Sequence, residues 1–139
     1  MRFLLDTNVI AEMRKGSRAN ANVRSWFAAL DPEAILLSVL TIGEIRRGIE
    51  SVRRRDPAAA RALDRWLRRV IEQHSDRILG VDLAVAEEWG RLNVPDPIPV
   101  IDGLLAATAR VHGLSLATRN VKDVARSGVD LVNPFDTAG

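Results

Sequence analysis

Asp6, Glu44 and Asp102 are the side chains of this sequence best suited to do chemistry together. Asp6 closes a short apolar run, Phe3-Leu4-Leu5, and is followed by Thr7 and Asn8. Glu44 lies in the first turns of an amphipathic segment after a second apolar run, and Asp102 opens a segment made otherwise of Gly, Leu and Ala. A fourth polar group, Thr118, Arg119, Asn120 and Asp123, follows a later apolar run. There is no cysteine, and His74 and His112 occupy ordinary helical positions, so the ligands on offer are oxygens. Oxygen ligands select hard divalent cations, Mg²⁺ or Mn²⁺, over zinc. A carboxylate inside the apolar segment that begins at Val100 would be costly unless it met a cation or strong donors. A divalent metal shared with Asp6 and Glu44 would supply that.

Each acid also has a structural role that needs no metal. Asp6 and Asp102 can cap helices, Glu44 can close a capping box opened by Thr41, and Asp123 can be a surface helix residue. His112 fits a helix C-terminus, favoured by the macrodipole, and Trp26, Trp66 and Trp89 fit packing stripes. What these roles leave unexplained is why so many acids fall at strand ends or helix starts.

The elements that must carry these residues follow from period and punctuation. Short apolar runs at 3–5, 34–37, 77–81, 114–117 and 129–132 read as strands. Between them, helical spacing appears in VIAEMRK up to Gly16, and in 20–30 through Val23, Trp26, Phe27 and Leu30. A helix capped by Ser38 or Thr41 carries Ile42, Ile45, Ile49 and Val52. Pro57 opens another that reaches about His74, with Leu63, Trp66, Leu67, Val70 and Ile71 as its stripe. Helices are also expected over 83–92, from Val100 to a C-cap at Gly113, and over 121–125, with a proline-fixed loop at 95–99. Strands alternating with helices imply a three-layer α/β/α domain spanning 1–139, with a central parallel sheet of four to five strands. In such a sheet ligands bind beyond the carboxyl ends of the strands, which is where Asp6, Glu44, Asp102 and the 118–123 group would gather.

Composition is that of an ordinary globular domain, 47% hydrophobic and 27% charged, with no repeat or low-complexity segment. No run is apolar and long enough to span a bilayer, and MRFLLDTNVI lacks the parts of a signal peptide, so a cytoplasmic location and no membrane partner are expected. The formal charge is only +2, but nine arginines between Arg46 and Arg69 face three acids there. That limb carries +6 and leaves −4 for the remainder. Its arginines, Arg46, Arg47, Arg53 and Arg54 among them, suit a phosphate backbone or simply a solvated helix face.

Four blocks, LLDTNVI at 4–10, LSVLTIGEIRRGI at 37–49, IPVIDGLLAATARVHGLSLATRNVKD at 98–123 and VNPF at 132–135, resemble in order and spacing the signature blocks of the PIN domain, and within it the VapC-type toxins of bacterial toxin–antitoxin pairs. The resemblance implies an α/β/α fold, Mg²⁺-dependent endoribonuclease activity with Mn²⁺ able to substitute, a homodimer, and neutralisation by a cognate VapB-like antitoxin in a larger toxin–antitoxin assembly. It puts Asp6, Glu44 and Asp102 in the family's first three acidic positions as catalytic and metal-binding residues. Asn120 stands at the fourth, often Asp, where it keeps an oxygen but drops a charge, with Asp123 nearby to assist. Thr7, Asn8 and Thr118 would orient the carboxylates. The metal would lower the pKa of a water and neutralise charge on the phosphate, while the arginines hold RNA without sequence choice. Two other classes use similar parts. A receiver-type phosphoacceptor would need an acidic pair after the first strand and a lysine placed otherwise than Lys122; a catalytically silent binding module would need no metal.

Overall fold

The computed structural model describes residues 1–136. Its five strands, β1 (Phe3–Leu5), β2 (Ile35–Ser38), β3 (Ile78–Leu79), β4 (Ser115–Ala117) and β5 (Leu131–Val132), form one sheet in the order β3-β2-β1-β4-β5. Every pairing is parallel. β1 takes the centre, with Phe3 and Leu4 beside Ile35 and Leu36 on one edge, and Phe3, Leu4 and Leu5 beside Ser115, Leu116 and Ala117 on the other. The strands are the expected ones, but β3 and β5 pair only over two residues each, within the longer runs that the apolar pattern marks.

Because successive strand residues point to opposite faces, β1 divides its side chains between two cores. Phe3 and Leu5 join Ile35, Leu37, Ile45, Ile49, Leu67 and Val70 on one side. Leu4 joins Leu36, Leu105, Ala106, Ala109, Leu116 and Val124 on the other. The first face is covered by α1 (Thr7–Met13), α2 (Ala21–Ala28), α3 (Val39–Arg53) and α4 (Pro57–Gln73); the second by α5 (Leu83–Leu92), α6 (Val100–His112) and α7 (Val121–Val124). Strands buried on both faces need no polar alternation, which is why they read as plain apolar runs.

The helix ends follow local chemistry. Ser38 Oγ accepts from the Leu40 N–H at 3.0 Å and caps α3. Asp56 caps α4, with Pro57 as its first residue. Gly113 ends α6 in the left-handed region at φ 67°, a conformation that a Cβ would strain. No helix among the described residues is long and apolar enough to cross a membrane.

Candidate active site

The sheet order reverses at β1: β2 lies to one side of it and β4 to the other. In an open α/β sheet a crevice forms at such a switch point, outside the carboxyl ends of the strands. Asp6 leaves β1 there, Thr118 leaves β4 there, α3 starts from the end of β2, and α6 begins on the same rim before running back to β4.

Asp6 is buried, and its carboxylate is gripped on several sides. The Thr7 N–H donates to Oδ1 at 2.7 Å, Thr118 Oγ1 to Oδ2 at 2.7 Å, and Asn8 Nδ2 to Oδ2 at 3.3 Å. Asp6 therefore does cap α1, as the simple structural role has it, but with one oxygen; the other faces the polar group after β4. Burial raises its pKa, opposed by the bonds from Thr118, Thr7 and Asn8 and reinforced by the charge of Glu44. Asn8 in turn accepts the Arg119 N–H at 3.2 Å, and Thr118 Oγ1 accepts the Asn120 N–H at 3.0 Å. The segment after β4 is thus tied to the segment after β1 by side chains of both.

Glu44 does not close a capping box. Ser38 caps α3, and Thr41 is buried with its hydroxyl on the Leu5 carbonyl at 3.5 Å. Glu44 instead reaches across to α1 and accepts from Thr7 Oγ1 at 2.5 Å. Asp102 is not a cap either, since Pro99 holds that position and Asp102 lies in the first turn of α6. Nor is it fully buried, as the apolar surroundings in the sequence suggest; it is half-buried and opens to the rim. Its carboxyl is nevertheless pushed up to about 6, by burial first and then by the charges of Asp6, Asp123 and Glu44. Mutual repulsion among the acids therefore contributes second to burial. Asp123 is exposed on α7 yet within electrostatic reach, while Asn120 is exposed and its side chain has no hydrogen bond among the described residues.

No group of three carboxylate or imidazole side chains among the described residues is drawn tightly enough to hold an ion between them. A grip in which Asp6, Glu44 and Asp102 all touch one metal is therefore not formed. The donors still suit a small hard cation. They are all oxygens, they carry clustered negative charge, and Mg²⁺ takes one or two carboxylates while keeping several waters. Asp6 and Asp102 would be the direct pair, with Glu44, already engaged by Thr7, acting through water.

The arginine limb divides. Arg46 and Arg53 both bind Glu50 and Asp64, at 2.6 to 3.1 Å, which joins α3 to α4. The shared acids hold their two guanidinium groups along the helix pair. Arg47 borders a shallow cavity with Glu44, Val39 and Ile101, and Arg54 is exposed past the end of α3. A further cation, in the polar group after β4, is placed by an aromatic ring: the Arg119 guanidinium lies over the Phe135 ring at 4.3 Å. The late VNPF block is the only sequence signal for that pairing.

The PIN domain family model matches residues 3–126. The chain is 32% identical to VapC ribonuclease Y4jK of Sinorhizobium fredii, covering 98% of this chain and 99% of that protein. It is 30% identical to toxin FitB of Neisseria gonorrhoeae, over 96% of this chain and 98% of that one. The crystal structure of FitAcB from Neisseria gonorrhoeae superposes with a TM-score of 0.88 at 30% identity, over 96% of this chain and 98% of its counterpart. With the parallel sheet, the acids at its switch point and these likenesses together, the chain belongs to the PIN domain family.

Proposed function

We propose that this protein is the toxin of a type II toxin–antitoxin pair, an endoribonuclease that hydrolyses RNA phosphodiesters with Mg²⁺ held by Asp6 and Asp102 and, through water, by Glu44. The observation that carries the reading is the gathering of acids distant in sequence at the switch point of the sheet, with Asp6 held by Thr118 at 2.7 Å and Glu44 by Thr7 at 2.5 Å. Mg²⁺, when bound, supplies an acidified water and neutralises charge on the phosphate. The chain's own groups do the rest. Thr118, Asn8 and the Thr7 N–H fix the Asp6 carboxylate, the Thr7 hydroxyl fixes Glu44, and Asp102 would offer the second carboxylate to the ion. Holding ligating carboxylates by outer hydrogen bonds in this way raises metal affinity.

The named relatives support the biological role, a VapC ribonuclease and a toxin among them, as does the likeness to the FitAcB structure. An antitoxin would find apolar surface to cover in a groove of about 670 Å³ lined by Ile10, Phe27, Leu30, Trp66 and Val70. The test is direct. Asp6→Asn and Asp102→Asn should keep the far-UV circular dichroism of the native chain while RNA cleavage falls about a hundredfold or more, the loss of several kcal/mol of metal-borne stabilisation. Full cleavage by both variants, or cleavage indifferent to EDTA, would refute the assignment.

A further inference from the structure

Arg119 stands apart from the other cations of the chain. It lies between Thr118, which holds Asp6, and Asn120, so its backbone is fixed at the rim of the acid cluster, with its N–H on Asn8 Oδ1 at 3.2 Å. Its side chain is exposed but directed, because the guanidinium sits 4.3 Å from the centre of the Phe135 ring. Phe135 is itself anchored. Its N–H donates to Asn133 Oδ1 at 3.0 Å, and its carbonyl accepts from Asn22 Nδ2 at 2.8 Å, which fastens the 133–135 turn to α2. Glu12, the acid whose charge Arg119 feels, is already engaged by Lys15 at 3.0 Å and by the Asn20 N–H at 2.8 Å. Among the described residues Arg119 makes no ion pair, which it shares with Arg47, Arg54 and others; what sets it apart is that its guanidinium is placed over an aromatic ring.

A guanidinium stacked on a ring keeps its N–H donors in its own plane, where they match the oxygens of a phosphate. We infer that Arg119, aimed by the Phe135 ring, binds a backbone phosphate of single-stranded RNA beside the one presented to the acids, with Phe135 as its positioning residue. This rests on the nuclease reading of the acid site. It assigns the turn at Asn133 to Phe135 a purpose: that segment delivers an aromatic face to a cation of the rim. It also adds a phosphate contact at the site itself to whatever the α3–α4 limb supplies, where Glu50 and Asp64 occupy Arg46 and Arg53 but not the other arginines.

The experiment uses the Asp6→Asn protein in Mg²⁺, in which cleavage is expected to be absent, and follows fluorescence anisotropy of a mixed-sequence single-stranded RNA 20-mer between low and moderate salt. Adding Arg119→Ala should weaken binding about tenfold, the loss of a charge-assisted bond, and reduce the slope of log affinity against log salt by about 0.7, one phosphate contact. Arg119→Lys should keep the slope and recover part of the affinity. Phe135→Leu should weaken binding severalfold, and Phe135→Tyr, which keeps the ring, should restore it. Unchanged affinity and slope in Arg119→Ala, or equal binding by the leucine and tyrosine variants, would overturn the inference and leave the acid site standing. Cleavage by the Asp6→Asn background, or no RNA binding by it at all, would overturn the nuclease reading and this inference with it.

Discussion

Asp102 sets how the site responds to pH. Its place in the first turn of α6 favours the charged form, yet burial and the charges of Asp6, Asp123 and Glu44 win, and its pKa rises from the usual carboxylate value of 3.8 to about 6. A folded-state pKa above the unfolded one means that the native protein binds the extra proton between those values, so stability falls as pH rises from about 4 to 6 and the penalty is complete above that. In the metal-free protein Asp102→Asn should therefore melt higher than wild type at pH 7.5, with the gap closing as pH drops toward 4. Differential scanning calorimetry in EDTA checks this, and a gap that widens on acidification would contradict the assigned direction. Metal should reverse the order, since an ion stabilises only the chain that still has its ligand.

At the scale of elements, the position of Asp102 depends on how closely α5 and α6 approach. Gly103, next in the chain, permits it: a Cβ there would stand 3.3 Å from Trp89 Cδ1 and Nε1 and 3.6 Å from Ile98 Cβ. Trp89 would have to shift by a few tenths of an ångström, and its buried Nε1 has no partner among the described residues. Gly103→Ala should thus cost about 1–3 kcal/mol by overpacking and move the first turn of α6. Urea unfolding measures the first effect, and weaker Mg²⁺ binding by isothermal titration the second. Normal stability with normal metal affinity would mean that the helix pair is looser than this packing indicates.

At the scale of the whole molecule, apolar side chains are left exposed close to the acid rim. Val39 at the start of α3 and Val100 at the start of α6 are 45% and 60% exposed, and Val39 borders a cavity with Glu44, Arg47 and Ile101. A homodimer, as proposed from the resemblance to VapC-type toxins, could use these valines at its contact. Light scattering of the purified chain should give about twice the 15.3 kDa monomer mass, and the double variant Val39→Asp, Val100→Asp should halve it if the acid-site rim lies at that contact. A wild-type chain that stays monomeric at tens of micromolar would reject the homodimer.

The amino-acid order alone determined the elements and their kind of sheet. Five apolar runs separated by helical stripes leave few arrangements, because connections between parallel strands must cross over and do so with one hand. The acids at strand ends were legible for the same reason, a carboxylate closing an apolar run being conspicuous in one dimension. Local chemistry could not choose between Ser38 and Thr41 as the cap of α3, since both offer a hydroxyl at a plausible position. The choice fell to Ser38 once burial drew Thr41 onto Leu5 and left Glu44 to reach Thr7. Only the tertiary structure decided that Arg46 and Arg53 spend their charge on Asp64, eighteen and eleven residues away. Nor could the sequence reveal that Phe135, from the last strand's exit, lies under Arg119. Side chains far apart along a chain meet through packing, and their distances are fixed by the fold as a whole rather than by any local pattern.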